Sequence, residues 1–217
     1  MIQLYLMDTD KASLSVYQTL FDMLSSDEKV KITSFRLESD KRQRICAELL
    51  IRYLICQKID VKNKDLEIKK TAYGKPYLPD HPQLCFNLSH TKNALAVAIA
   101  SAPVGVDIEK ERSIDLQIAK RYFTKQEYDW IIADPRQNLH RFYEVWTKKE
   151  AYIKCIGKGL AIDLKSFNVL NDSLEETFKT LYLPPYILSV CSLDSMEQIP
   201  PIIMTPAELL HLTKLFI

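Results

Sequence analysis

Two short stretches carry residue types that could hold a divalent cation against a phosphate: Gly105-Val106-Asp107-Ile108-Glu109-Lys110, and Trp146-Thr147-Lys148-Lys149-Glu150-Ala151-Tyr152-Ile153-Lys154. In the first, Val104, Val106 and Ile108 alternate with Gly105, Asp107 and Glu109, the period-two pattern of a half-buried strand. Both carboxylates then project from one face, roughly 6.5–7 Å apart along the backbone. Gly105 on that face leaves room for something large to approach. In the second stretch a 3.6-residue period predicts a helix with Trp146, Glu150 and Lys154 on one stripe. Asp107, Glu109 and Glu150 are hard oxygen ligands with no histidine–cysteine cluster beside them, which points to magnesium rather than zinc. Taken singly, each feature has an ordinary alternative: two solvated acids on a strand edge, or an i,i+4 surface pair of Glu150 and Lys154.

Groups suited to phosphate lie upstream. Lys29 and Lys31 follow Ser25-Ser26-Asp27-Glu28, which has capping-box form, and Arg44 lies in a predicted helix. Lys75 sits in the turn Tyr73-Gly74-Lys75-Pro76, and Ser89-His90 ends a predicted strand. There a hydroxyl, an imidazole and exposed backbone N–H groups can all donate to phosphate. The chain has no Walker A sequence, no G-x-G-x-x-G and no G-x-S-x-G, so ATPase, Rossmann dehydrogenase and α/β-hydrolase readings lack a motif.

The elements that must position these groups fall into two halves joined near Ser101-Ala102-Pro103. The first (1–102) reads as a strand at Gln3–Met7, a helix around Leu14–Leu24, a short helix after Ser25, and a longer helix at about Asp40–Lys58. Strands follow near Leu66–Lys70, Gln83–Asn87 and Ala94–Ala100. The second (103–217) reads as a strand at Val104–Glu109, helices at about Leu116–Tyr122, after Thr124, and Arg136–Ile156, then strands near Phe167–Leu170, Thr177–Tyr182 and Tyr186–Leu193. The order recurs: Ser25-x-x-Glu28 and Thr124-x-x-Glu127 each precede a long helix, with Glu48 of the first falling about where Glu150 falls in the second. The fold class is therefore α+β in two similar halves, with a cleft between them as the natural ligand site.

With 47% hydrophobic and 26% charged residues and a net charge of +1, the chain has the composition of a soluble globular protein and not of a strongly basic nucleic-acid binder. Five cysteines without a C-x-x-C pair read as reduced thiols. The N-terminus lacks a basic signal-peptide region, and the apolar run at Ala94–Ala100 is too short to span a bilayer. A cytoplasmic location with no membrane partner is expected.

Together, Gly105-Val106-Asp107-Ile108-Glu109 and Trp146-Thr147-Lys148-Lys149-Glu150-Ala151-Tyr152-Ile153-Lys154 closely resemble the paired signature of the 4′-phosphopantetheinyl transferases of the long, surfactin-synthetase type. Gly157-Lys158-Gly159-Leu160, Tyr73-Gly74-Lys75-Pro76 and Phe86-Asn87-Leu88-Ser89-His90 are similar to that type as well, so the likeness runs from about Ser25 to Leu160. The resemblance implies a monomeric pseudo-dimer binding coenzyme A and Mg²⁺ between its halves. It implies transfer of the phosphopantetheine arm to a serine of an apo acyl or peptidyl carrier protein, with release of adenosine 3′,5′-bisphosphate. By the same resemblance Asp107, Glu109 and Glu150 hold the metal, and Lys154 contacts the phosphates. Lys75, Ser89 and His90 contact the nucleotide and its phosphates, and Lys29, Lys31 and Arg44 surround the 3′-phosphate. The family often has an Arg-Ser/Thr pair where this chain has Gln43-Arg44, so Arg44 takes over the hydroxyl contact. A serine nucleophile needs a base, and Glu150, directly or through a metal-bound water, is the best-placed group. Two other classes fit the same carboxylates: a Mg²⁺-dependent nucleotide phosphohydrolase and a non-catalytic carrier-binding module.

Overall fold

The alternation Ala94-Leu95-Ala96-Val97-Ala98-Ile99-Ala100 sets the architecture. Leu95, Val97 and Ile99 enter the core under the first long helix, while the alanines on the other face are small enough for a second sheet to pack directly on them. The computed structural model describes residues 1–194, 196 and 198–214, with the backbone alone at position 160. Residues 195, 197 and 215–217, assigned from sequence to the second half, lie outside the described residues.

The first half runs β1 (Gln3–Asp8), α1 (Leu14–Asp22), α2 (Ser26–Thr33), α3 (Glu38–Ile59), the short hairpin β2 (Lys69–Lys70) and β3 (Pro76–Tyr77), then β4 (Cys85–Thr91) and β5 (Ala94–Ala100). The second runs β6 (Val104–Lys110), α4 (Gln117–Tyr122), α5 (Lys125–Ile132), α6 (Asn138–Ile156), α7 (Asp172–Glu175), β7 (Phe178–Leu183) and β8 (Tyr186–Ser192). Each half closes an antiparallel sheet in the same order, β1 beside β5 beside β4, and β6 beside β8 beside β7. The inner faces meet through Leu4, Leu6 and the β5 alanines on one side and Val104, Val106, Ile108, Leu188 and Val190 on the other. Helices cover both outer faces, α3 on the first sheet and α6 on the second.

The tail departs from the division at 102/103. β9 (Ile202–Met204) pairs in parallel with β1, and α8 (Pro206–Lys214) packs on α1 and α3, so residues 202–214 complete the first half. Thr205 and Glu208 cap α8 with a reciprocal pair of bonds: the Glu208 carboxylate accepts from Thr205 N–H, and the Thr205 hydroxyl accepts from Glu208 N–H. Among the described residues no helix is long and apolar enough to cross a membrane.

The internal repeat is tied by one device used twice. Both predicted capping boxes form, at Ser25–Glu28 and Thr124–Glu127. In each half the capping glutamate also faces a cation of the long helix: Glu28 with Arg52 at 4.0 Å, and Glu127 with Lys149 at 2.9 Å, the latter pair fully buried. Arg52 and Lys149 stand equally far before the left-handed residues Asp60 and Gly157 that end their helices, eight positions in each case (60 − 52 and 157 − 149). On that alignment Glu48 matches Val145, not Glu150, which corrects the pairing expected from sequence. Each cation also ties down the segment after its helix, Arg52 through the carbonyls of Asn63 and Leu66, Lys149 through those of Leu164 and Phe167. Phe167–Leu170 is accordingly not a strand, and only Lys69–Lys70 of the predicted Leu66–Lys70 is one: the Phe167 and Leu66 carbonyls serve a helix cation instead of a ladder.

Removing Lys149 leaves Glu127 charged and dry. Lys149→Ala is expected to lower the unfolding free energy by about 3–5 kcal/mol, measured by urea denaturation. A loss below about 1 kcal/mol, the scale of an exposed pair, contradicts this role.

Candidate active site between the two sheets

β4 and β6 are edge strands that face each other across the two halves. They are joined by side chains instead of backbone. On β4, Asn87, Ser89 and Thr91 point to one side and accept hydrogen bonds from the β6 N–H groups of Val106 (2.9 Å), Ile108 (3.4 Å) and Lys110 (3.3 Å). Those N–H groups face away from β8, so the seam satisfies donors that would otherwise be left over. β4 continues past the predicted end at Asn87 because its pairing with β5 runs to Thr91 opposite Ala94, placing Ser89 and His90 inside a strand.

Across β6, Gly105, Asp107 and Glu109 face α6. What approaches Gly105 is the helix itself: a Cβ there would overlap the Ala151 carbonyl oxygen and the Cys155 backbone nitrogen. This close contact brings Lys154 onto β6. Its ammonium donates to Asp107 Oδ1 at 2.6 Å, to Ser89 Oγ at 3.0 Å and to the Val106 carbonyl at 3.2 Å. Ser89 Oγ in turn donates to Asp107 Oδ1 at 2.8 Å, and Asp107 Oδ2 is buried with no hydrogen-bond partner. The Thr91 hydroxyl donates to Glu109 at 3.2 Å. Burial raises the pKa of Glu150 and of Glu109, and the negative charge of Asp107 adds to both shifts; Lys154 opposes them. The residues predicted to hold a metal thus form one electrostatically coupled, cation-seeking group. The described residues contain no group of three histidine, cysteine or carboxylate side chains already gathered around a metal position. The donor set nevertheless fits a hard divalent ion, since it is all oxygen and includes a buried carboxylate oxygen without a partner. Trp146 belongs to an aromatic cluster with Phe123 and Phe142 and supports α6 from its packed side.

Two cavities open beside this seam in the first half. One of about 600 Å³ is bounded by Lys31, Arg44, Glu48, Gly74, Phe86 and Leu88; the other, about 550 Å³, by Phe35, Leu37, Arg44, His90 and Lys92. Arg44 borders both and pairs loosely with Glu48 at 3.5 Å. His90 lies at the second, its pKa held down by burial and then by the charges of Lys154 and Arg44. A third cavity of about 410 Å³, bounded by Met1, Ser101, Ser192 and Ile199, contains none of the predicted site residues.

Two predicted phosphate contacts are engaged elsewhere. The Lys29 ammonium caps the end of α1 at the Asp22 carbonyl, 2.9 Å away. The Lys75 ammonium donates to the Cys155 carbonyl at 2.8 Å and the Val104 carbonyl at 3.4 Å, tying the β2–β3 turn to the C-terminal end of α6, and burial lowers its pKa. The Gln43 amide bridges the carbonyls of Thr91 and Ala94 and fixes the β4–β5 turn.

The roles of Asn87 and Thr91 are found only in the structure; the alternation Asn87-x-Ser89-x-Thr91 is the sequence signal that puts them on the side of Ser89. Thr147 was also missed; its hydroxyl holds α6 to β8 through Ser189 at 2.9 Å.

Residues 11–103 match the family described as 4′-phosphopantetheinyl transferase, N-terminal, and residues 103–195 match the 4′-phosphopantetheinyl transferase superfamily. The 4′-phosphopantetheinyl transferase Sfp of Bacillus subtilis (strain 168) is 32% identical over 189 residues, covering 81% of this chain and 84% of that protein. The chain belongs to the 4′-phosphopantetheinyl transferases. Psf-1 of Bacillus pumilus is 33% identical over 216 residues (97% of this chain, 91% of the relative), and gsp of Aneurinibacillus migulanus is 31% identical over 215 (93% and 89%), both named for the same transferase activity. This transferase carries its two family matches on the two halves, meeting at the link between β5 and β6.

Proposed function

We propose that the chain transfers the 4′-phosphopantetheine arm of coenzyme A to a serine hydroxyl of an apo acyl or peptidyl carrier protein, releasing adenosine 3′,5′-bisphosphate, and that it acts as a cytoplasmic monomer. The observation that carries this reading is the seam in which Lys154, Ser89 and Asp107 are bonded together beside two carboxyls of raised pKa and next to the two cavities.

Asp107, Glu109 and Glu150 would hold Mg²⁺, which when bound polarises a diphosphate and stabilises charge on the departing oxygen. The remaining work belongs to the chain. Lys31, Arg44 and His90 on the cavity rims attract the 3′-phosphate, and Lys154 attracts the diphosphate. Glu150, whose pKa burial and then the charge of Asp107 raise above the ordinary carboxylate range, accepts the proton of the serine hydroxyl. The serine oxygen bonds to the β-phosphorus, and the bond from that phosphorus to the bridging oxygen of the α-phosphate breaks. In this scheme the first half carries the nucleotide contacts, and the second carries the carboxylates and the carrier contacts. Lys29 and Lys75 act indirectly, by fixing the walls of the nucleotide site.

Incubation with CoA, Mg²⁺ and an apo carrier protein should raise the carrier mass by one phosphopantetheine. Phosphate release without carrier would favour a phosphohydrolase, and an unchanged carrier mass without phosphate release a binding module. His90→Ala is expected to raise KM for CoA more than it lowers kcat, because the lost contact is remote from the attacking serine. Equal CoA affinity of variant and parent by calorimetry would contradict that contact.

A further inference from the structure

An ammonium has three protons to donate, and Lys154 directs its own at three acceptors of one seam: Asp107 Oδ1, Ser89 Oγ and the Val106 carbonyl, all within 3.2 Å. Asp107 Oδ1 therefore receives two donors, Lys154 and Ser89, while Oδ2 receives none. The pair is largely enclosed, with 27% of the Lys154 side chain and 6% of the Asp107 side chain exposed, so solvent screens it only partly. Among the described residues the carboxylates are not gathered into a metal cage; a lysine stands at the most buried of them instead.

We infer that Lys154 is an internal counter-ion that guards the metal position of the free enzyme, and that the substrate's diphosphate unlocks it. A divalent cation arriving at Asp107 meets a like charge in direct contact with its ligand. That charge leaves when something offers the ammonium better acceptors, and a diphosphate, with several charged oxygens, does so. The flexible four-carbon stem of lysine lets the head move without shifting α6. Metal and diphosphate then load together: each strengthens the other by the same factor, as linkage requires. The enzyme thereby avoids holding a metal with open positions when no substrate is present. Lys154 is in this respect a positioning residue as well as a phosphate contact. The inference rests on the metal reading given above, and the test separates the two.

Mn²⁺ serves as the probe, its binding to the full chain followed by electron paramagnetic resonance. Wild-type protein without CoA should bind Mn²⁺ weakly, and CoA should tighten binding. That alone does not identify the lock, because CoA also brings ligands of its own. The deciding arm is Lys154→Met and, as a second variant, Lys154→Gln, both without CoA. Removing the guarding charge should tighten Mn²⁺ binding by about tenfold or more relative to free wild type. Mn²⁺ should correspondingly raise the melting temperature of either variant more than that of wild type, which also confirms that the variant is folded. Folded variants that bind Mn²⁺ no more tightly than free wild type would overturn the inference. Free wild type that binds as tightly as its CoA complex would overturn the lock and leave the metal reading standing. Wild type that binds Mn²⁺ neither with nor without CoA would overturn both.

Discussion

Asp107→Ala should abolish transfer in a protein that still folds. Asp107 is the group through which both strands and the helix meet: it accepts from Ser89 of β4 and from Lys154 of α6, and its charge adds to the raised pKa of Glu109 and Glu150. Its removal takes away the most buried of the three carboxylates proposed to hold the metal and the anchor that aims Lys154. Losing one preorganised electrostatic group at a reacting centre costs about 10²–10³-fold in rate, and here two contributions go together. The fold should tolerate the change. The core of the second sheet lies on the other face of β6, at Val104, Val106 and Ile108, and the partly exposed Lys154 can turn its head to water. Thermal melting checks folding, and single-turnover transfer checks the rate. Near-wild-type turnover by a folded Asp107→Ala protein at modest Mg²⁺ would end the metal assignment.

How much of this was legible before the structure depends on the kind of signal each residue carries. Asp107 and Glu109 could be placed on one face because a strand has period two and Val104, Val106 and Ile108 alternate with them. Glu150 and Lys154 could be placed on one stripe because the helix has period 3.6. Both are local rules, and both elements formed where expected. The function of each lysine was not local. Lys148, Lys149 and Lys154 share one helix, yet Lys148 pairs half-buried with Glu144, Lys149 is fully buried against Glu127, and Lys154 reaches the seam. Helical period orders these directions, but only the packing of α6 on β6 says which direction is inward. That packing depends on Gly105, whose missing side chain admits the helix backbone, whereas the sequence suggested an opening for a ligand. Lys75 likewise looked like a turn residue free to meet phosphate, and its partners lie in the Val104 and Cys155 carbonyls, far along the chain. The return of β9 to β1 was invisible for a related reason: a three-residue strand in parallel pairing has too little pattern to announce a partner at the other end of the sequence.

The two halves use one plan for unlike ends. Arg52–Glu28 and Lys149–Glu127 fix the long helices in the same way, but only α6 then carries a carboxyl and an ammonium one and five positions after the shared cation, at Glu150 and Lys154. The matching positions of α3 are Tyr53 and Gln57 (53 = 150 − 97 and 57 = 154 − 97, with 97 = 157 − 60), so the first half keeps the scaffold and lacks these two groups. The proposed chemistry is therefore asymmetric in a nearly symmetric fold: the two cavities beside the seam in the first half, the carboxylates in the second, and the β4–β6 seam between them.

Glu150→Gln should reduce kcat by about 10²–10⁴-fold, the usual contribution of a general base, while CoA binding in Mg²⁺ survives far better than in Asp107→Ala. Glutamine keeps the length of the side chain and one oxygen ligand but cannot accept a proton as a carboxylate does. Glu150 is suited to the role because burial first, and then the charge of Asp107, raise its pKa, with Lys154 moderating the rise. Its carboxyl stands on the same stripe of α6 as Lys154, so a proton accepted there and a phosphate held by Lys154 meet in one place. Three outcomes are distinguishable by measuring CoA affinity and single-turnover transfer at two Mg²⁺ concentrations. A loss of kcat that extra Mg²⁺ does not repair, with CoA affinity retained, is the result expected of a base. Parallel loss of metal-dependent binding in Glu150→Gln and Asp107→Ala, partly repaired in both by Mg²⁺, would make Glu150 a ligand alone. No change in either property would reduce it to an i,i+4 neighbour of Lys154 worth less than about 1 kcal/mol. The sharpest contradiction is full repair of Glu150→Gln by Mg²⁺, because a side chain that cannot take a proton at neutral pH cannot be made into a base by filling a metal site.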